Sequence, residues 1–254
     1  MIAEFITLEF VLVMGIGFVA QVIDGALGMA FGVVSTSAML VIGLPPAQAS
    51  AVVHTAEIFT IGTSAASHIY HRNVDWRLVT RLGISGVIGA VLGAWVLSNV
   101  DTSVARPFVA GYLLVIGIFI LLKSLRMAPA RDAPATWTAP VGLIAGFLDA
   151  SGGGGWGPVA TSALVGSGHA PRLAVGSVNT TEFFVTIAAA ATFFVELGAS
   201  SLMNLLALVL GGIIAAPIGG WMVKRVPARG LMIAVGLLIL ALAAWQLAKT
   251  FKLM

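Results

Sequence analysis

The stretch "FLDASGGGGWGP" (Phe147–Pro158) decides how this chain is read. It places an aspartate, four consecutive glycines, a tryptophan and a proline inside a sequence that is 59% hydrophobic and only 9% charged. The stretch is too short for a flexible linker and too polar for an uninterrupted membrane helix. Its meaning depends on what it interrupts.

The mean hydropathy of +1.06 and the low charge exclude a soluble fold, which would need far more polar surface. Crossing a hydrocarbon layer of ~30 Å takes roughly 20 apolar residues. Runs of that kind begin at Leu78, Val104, Leu202 and Leu231. The fold class is therefore an all-α polytopic membrane protein. With no cysteine, disulfides, thiolate metal sites and thiol catalysis drop out. The start, "MIAEFITLEF", has no basic n-region and does not read as a signal peptide. A net charge of +3 is too small to point to nucleic acid.

The segment "RMAPARDAPATW" (Arg126–Trp137) resembles a linker and divides the chain near its middle. Displacing the first half by 125 positions sets Asp24 on Asp149, Gly28 on Gly153, Gly32 on Gly157 and Thr36 on Thr161. Pro46 falls on Pro171, Thr55 on Thr180 and Glu57 on Glu182 at the same offset. Matches of Asp, Pro, Thr and Glu are not cheap in so apolar a chain, so the sequence repeats itself. The halves are 1–125 and 137–254, joined by 126–136, and each reads as about five apolar segments. The basic loops are Arg72–Arg77, Lys123–Arg131 and Lys224–Arg229, whereas Asn99–Ser103 and Glu196–Ser201 carry no base. Putting the basic loops in the cytoplasm makes the linker cytoplasmic, both termini periplasmic and the two halves opposite in orientation. Lys249 and Lys252 run against that assignment. Inverted-topology repeats are a mark of secondary transporters, whose sites lie near the midplane where the repeats meet.

The second segment of each half is too short to cross, which predicts breaks at Asp24–Gly28 and Asp149–Gly155. Broken helices are tolerated in a membrane only where they pack in protein or line a wet cavity. A half-helix that starts at such a break aims free N–H groups and a positive dipole end into the gap, which suits an anion. The expected substrate site is Gly25, Gly28, Ser151, Gly152, Gly153, Gly154 and Gly155, with Thr55, Asn179 and Thr180 as donors. The competing account is that such glycines simply let helices pack closely, which is the preferred reading for Gly86, Gly89 and Gly93.

Ionisable residues inside the membrane are functional candidates by default, because burying a charge there costs roughly 2.5–3.5 kcal/mol. His54 and Glu57 share a helical face, as do Asn179 and Glu182. With Asp24 and Asp149 they form the expected proton-coupling set: His54, Glu57, Asp24, Asp149 and Glu182. His54 stands out because its repeat counterpart is a neutral Asn. Against these roles, the carboxyls of Glu57 and Glu182 could be structural, and the aspartates could cap the half-helices. No metal site or cofactor is expected.

The repeated "DGALG" and "DASGGGG" breaks, the "GLPP" and "GHAPR" turns and the "HTAE" and "GSVNTTE" stretches resemble the TauE/SafE sulfite exporter family over essentially the whole chain. The resemblance implies a bacterial inner-membrane transporter of sulfite, sulfoacetate or other small sulfur-containing or organic anions. The family is often described with fewer spans than the ten segments read here. No Walker motif accompanies the resemblance, so the expected drive is a proton gradient, and homo-oligomerisation stays open. An anion channel and an intramembrane enzyme are the alternatives.

Overall fold

Prolines open two of the helices of this chain, and glycines close several. Residues 7–27, 29–125, 137–199, 201–222 and 228–252 are described in a computed structural model. Among them are ten α-helices, one π-helical turn and no strand. The first half holds α1 (Leu8–Leu27), α2 (Phe31–Ile42), α3 (Pro46–Tyr70), α4 (Trp76–Asn99) and α5 (Thr102–Leu125). The second holds α6 (Thr138–Gly152), the π-turn (Gly157–Thr161) with α7 (Ser162–Gly166), α8 (Pro171–Leu197), α9 (Leu202–Met222) and α10 (Ala228–Thr250). α3 and α8 both begin on a proline, where the missing N–H is no loss. α2 and α7 end alike. Gly43, at φ 109°, lets Leu44 N–H reach Met39 O (3.1 Å), and Gly168, at φ 96°, lets His169 N–H reach Leu164 O (3.0 Å). That reversal needs a left-handed residue, and glycine adopts it freely.

Among the described residues, four helices are long and apolar enough to cross a membrane: Trp76–Asn99, Thr102–Leu125, Arg172–Leu197 and Arg229–Thr250. α2, at 12 residues, spans only about 18 Å. Large apolar side chains such as Ile84, Phe108, Val115 and Ile213 point outward, while Asp24, His54, Glu57, Asp149 and Glu182 are buried. In water that outer surface would be a liability; against hydrocarbon it is the expected one.

Neighbouring helices fix each other's direction through their points of contact. A Cβ on Gly142 would meet Leu82 O, and one on Gly146 would meet Gly86, so α4 and α6 run parallel. Gly17 lies against Leu208 and Gly212 against Gln21, so α1 and α9 also run parallel. Gly212 meets Thr60 as well. Asn179 faces His68 and Phe183 faces Gly62, so α3 and α8 are antiparallel. Gly83 meets Thr181 and Gly86 meets Val185, which makes α4 and α8 parallel. Gly117 meets Ile239 and Gly236 meets Leu121, which makes α5 and α10 antiparallel. Gly86, Gly89 and Gly93 are packing glycines, each pressed against α6 or Trp156.

The breaks fall a few residues later than the sequence suggests. α1 continues to Leu27 and α6 to Gly152, so Asp24 and Asp149 lie in the last turn before each break. The reason is capping: each carboxylate reaches forward over the gap to the next half-helix. Gly28, the centre of the linker and Lys224–Pro227 lie outside the described residues.

Candidate functional site

Asp24 Oδ1 accepts from Ala30 N (2.8 Å) and Phe31 N (3.2 Å), and Asp149 Oδ1 accepts from Trp156 N (2.9 Å). Phe31 and Trp156 stand 125 positions apart in the sequence, and each half-helix is capped in the same way by an aspartate seven residues before it. The capping reading of the two aspartates is therefore correct as far as it goes. The halves differ in what the second carboxylate oxygen does. Asp149 Oδ2 lies 3.1 Å from His54 Nε2, tying α6 to α3, and the imidazole is fully buried.

The other ring nitrogen settles the proton count. His54 Nδ1 is 2.8 Å from Ser50 O, an acceptor only, so Nδ1 carries the hydrogen. The contact between Nε2 and Asp149 then holds one proton, on the ring or on the carboxyl. With none, two lone pairs would face each other at 3.1 Å. Ser50 Oγ donates across to Ala150 O (2.9 Å), which fastens the same turn of α3 to the end of α6.

The four-glycine turn is buried, and each glycine has a steric reason. Gly152 and Gly155 leave room for the Tyr112 ring of α5. A Cβ on Gly154 would come within 2.5 Å of the Gly32 and Val33 backbone, and one on Gly153 would strike Thr36. Gly153, Gly154 and Gly155 take φ of 77°, 129° and 136°, in the left-handed range open to glycine. Tyr112 Oη donates to Gly154 O (3.0 Å) and closes the turn. Tyr112→Phe is expected to destabilise the protein by about 1 kcal/mol, through loss of that donor to a buried carbonyl, and thermal melting in detergent would measure it.

Glu57 projects toward the point where the halves touch. Its Oε1 lies 2.8 Å from where a Gly32 Cβ would stand, and Gly154 Cα lies 3.1 Å from the same point. Neither Glu57 nor Glu182 hydrogen-bonds a described residue, although both are buried. Thr36 Oγ1, also buried beside Gly153, has no partner.

Several expected donors point elsewhere. Thr55 and Thr180 donate to Ala51 O (2.7 Å) and Gly176 O (2.8 Å) on their own helices, and Ser151 donates to Phe147 O (2.6 Å). Asn179 lies 3.3 Å from His68 Nε2, away from Asp24. Gly25 falls in the last turn of α1, and Gly28 is outside the described residues.

Sequence reasoning missed Ser50, Tyr112 and Lys123. Ser50 stands one turn before His54, and Tyr112 is one of only two tyrosines in the chain, set in an apolar run where its hydroxyl needs a partner. Lys123, counted as a loop base, turns back to within 3.8 Å of Met29 Sδ and brings a cation to the first break.

A helical membrane bundle with capped half-helices and ionisable groups gathered where its halves meet is the construction of a membrane transporter. The chain belongs to the TauE/SafE sulfite exporter family, whose description, Sulfite exporter TauE/SafE, matches residues 13–245. It is 46% identical over 219 residues to the probable membrane transporter protein YtnM of Bacillus subtilis (strain 168), covering 83% of this chain and 73% of that protein. A probable membrane transporter protein, ORF9, of Sinorhizobium sp is 25% identical over 187 residues, covering 72% of this chain and 66% of that protein. No solved structure matches.

Proposed function

We propose that this protein is a proton-coupled secondary transporter of a small oxyanion of the sulfite or organosulfonate class, exporting it across the bacterial inner membrane. The carrying observation is the His54–Asp149 pair beside three further buried carboxyls, Asp24, Glu57 and Glu182. An anion entering a low-dielectric pocket among four carboxyls is repelled unless protons accompany it. Thr36 Oγ1, beside Gly153 and without a hydrogen-bond partner among the described residues, is the polar group left to meet such an anion. Sulfite enters through the family name alone.

The helix directions support inverted repeats. α3 runs against α8 and α5 against α10, so these two helices of the first half oppose their counterparts in the second. On this reading α3 and α8 cross where the repeats meet, and alternating access rocks one half against the other. The charge pattern supports 126–136 in the cytoplasm and both termini in the periplasm, with Lys249 and Lys252 running against it.

Proton coupling has a direct route to the break. The carboxylate that shares a proton with His54 also caps Trp156, so loss of that proton removes one of the two ties between α6 and α3 and leaves Ser50 Oγ on Ala150 O as the other. His54→Asn, which makes the halves alike, is expected to flatten the dependence of transport on pH in proteoliposomes. A profile identical to wild type would remove His54 from coupling.

A further inference from the structure

A second polar cleft lies away from the breaks, between the start of α5 and the end of α10. It encloses about 500 Å³ and is lined by Thr102, Ser103, Arg106, Gln246, Lys249 and Thr250. Two of the six are permanent or near-permanent cations, and none is acidic. The first turn of α5 adds its positive dipole end, although Val104 N and Ala105 N already donate to Asp101 O (2.9 and 2.8 Å). Neither basic side chain is neutralised by an ion pair among the described residues. Among the described residues the polar contact of Arg106 is a long one, Nη2 to Gly43 O at 3.4 Å.

Gln246 supplies the independent sign of a ligand. It is 1% exposed, and both its Nε2 and its Oε1 lack any hydrogen-bond partner. A buried primary amide can make four hydrogen bonds, and natural proteins rarely leave one with none. Gln246 is among the residues that line this cleft, so the amide lies close beneath whatever fills it.

We infer that this cleft binds a tetrahedral oxyanion, a phosphate or sulfonate group, between Arg106 and Lys249, with Gln246 Nε2 donating from below. Guanidinium and ammonium groups form charge-assisted hydrogen bonds to such oxygens, and the hydroxyls of Thr102 and Ser103 complete the shell. The group comes either as the headgroup of an anionic phospholipid or as a free ion. The inference also gives Lys249 a purpose: it breaks the loop-charge pattern because it serves a site. It stands apart from the transport reading, since nothing in it uses the breaks.

The test uses the full chain in phosphatidylcholine nanodiscs, with no transport substrate present. One arm titrates inorganic phosphate; the other replaces part of the lipid with phosphatidylglycerol. The melting temperature of wild type is expected to rise saturably in at least one arm, and the responding arm identifies the source. Arg106→Gln with Lys249→Gln should weaken the half-saturation point by about 10- to 100-fold, the loss of two charge-assisted contacts. Should the double variant not fold, Gln246→Leu decides. It removes an unpaired amide, so it should melt no lower than wild type without ligand and respond more weakly with it. No saturable rise in either arm, or variants that titrate as wild type does, would overturn the site.

Discussion

Replacing Gly154 by alanine is expected to destabilise the protein by about 2–6 kcal/mol, the largest effect of any single methyl group added here. About 1–3 kcal/mol comes from forcing a side chain into sparsely populated backbone at φ 129°. A similar ~1–3 kcal/mol comes from overpacking, since the new Cβ would stand 2.5 Å from the Gly32 and Val33 backbone, which cannot swing aside. Gly15→Ala is the matched control. It adds the same methyl to a helix with nothing within 4 Å, and its midpoint should hold or rise. Thermal melting of both in detergent makes the comparison, and equal midpoints would show that the turn does not seat on α2 as described. Gly153, at φ 77° against Thr36, falls under the same argument, so a valine there would damage the fold as well as any site.

Asp149→Asn is expected to abolish gradient-driven transport, by about 100-fold or more, while leaving the fold intact. Asparagine can accept from Trp156 N with its oxygen and donate to His54 Nε2 with its amide, reproducing the protonated acid. It cannot give the proton up. If the His54–Asp149 contact is where protons are taken and released, the variant is held in one state, and a 100-fold loss corresponds to about 2.7 kcal/mol. Uptake into proteoliposomes with an imposed pH gradient gives the rate, and melting gives the fold. A variant that transports at the wild-type rate would assign coupling to Glu57, Glu182 or Asp24. A variant that melts far lower would mean that Asn fails as a cap.

The longer helices were legible because each is an apolar run and because the same landmark residues recur 125 positions apart in the sequence. A match such as Pro46 with Pro171 marks a helix start in both halves, and Gly43 with Gly168 marks an end. The break positions were off by a few residues for a local reason: an aspartate that caps the next helix is most useful inside the end of the previous one. The site was half legible. Burial of Asp24, His54, Glu57, Asp149 and Glu182 follows from their rarity in an apolar chain. Their pairing does not, because His54 and Asp149 are 95 residues apart and meet only through the packing of α3 on α6. Asn179 shows the limit of symmetry, since it occupies the place of His54 yet faces His68.

Trp156 carries a practical consequence. It is wholly buried beside the second break, its indole N–H bonded to Val178 O at 3.1 Å and its ring against Gly86. Trp76, Trp95, Trp137 and Trp245 are more than half exposed. The residue that opens the half-helix is therefore a built-in optical probe with no need of a label. With Trp76, Trp95, Trp137, Trp221 and Trp245 all changed to phenylalanine, its emission reports on one place only. Any rearrangement that shifts the capping carboxylate alters the surroundings of this ring, so substrate and pH could be followed as a change of colour in the native chain.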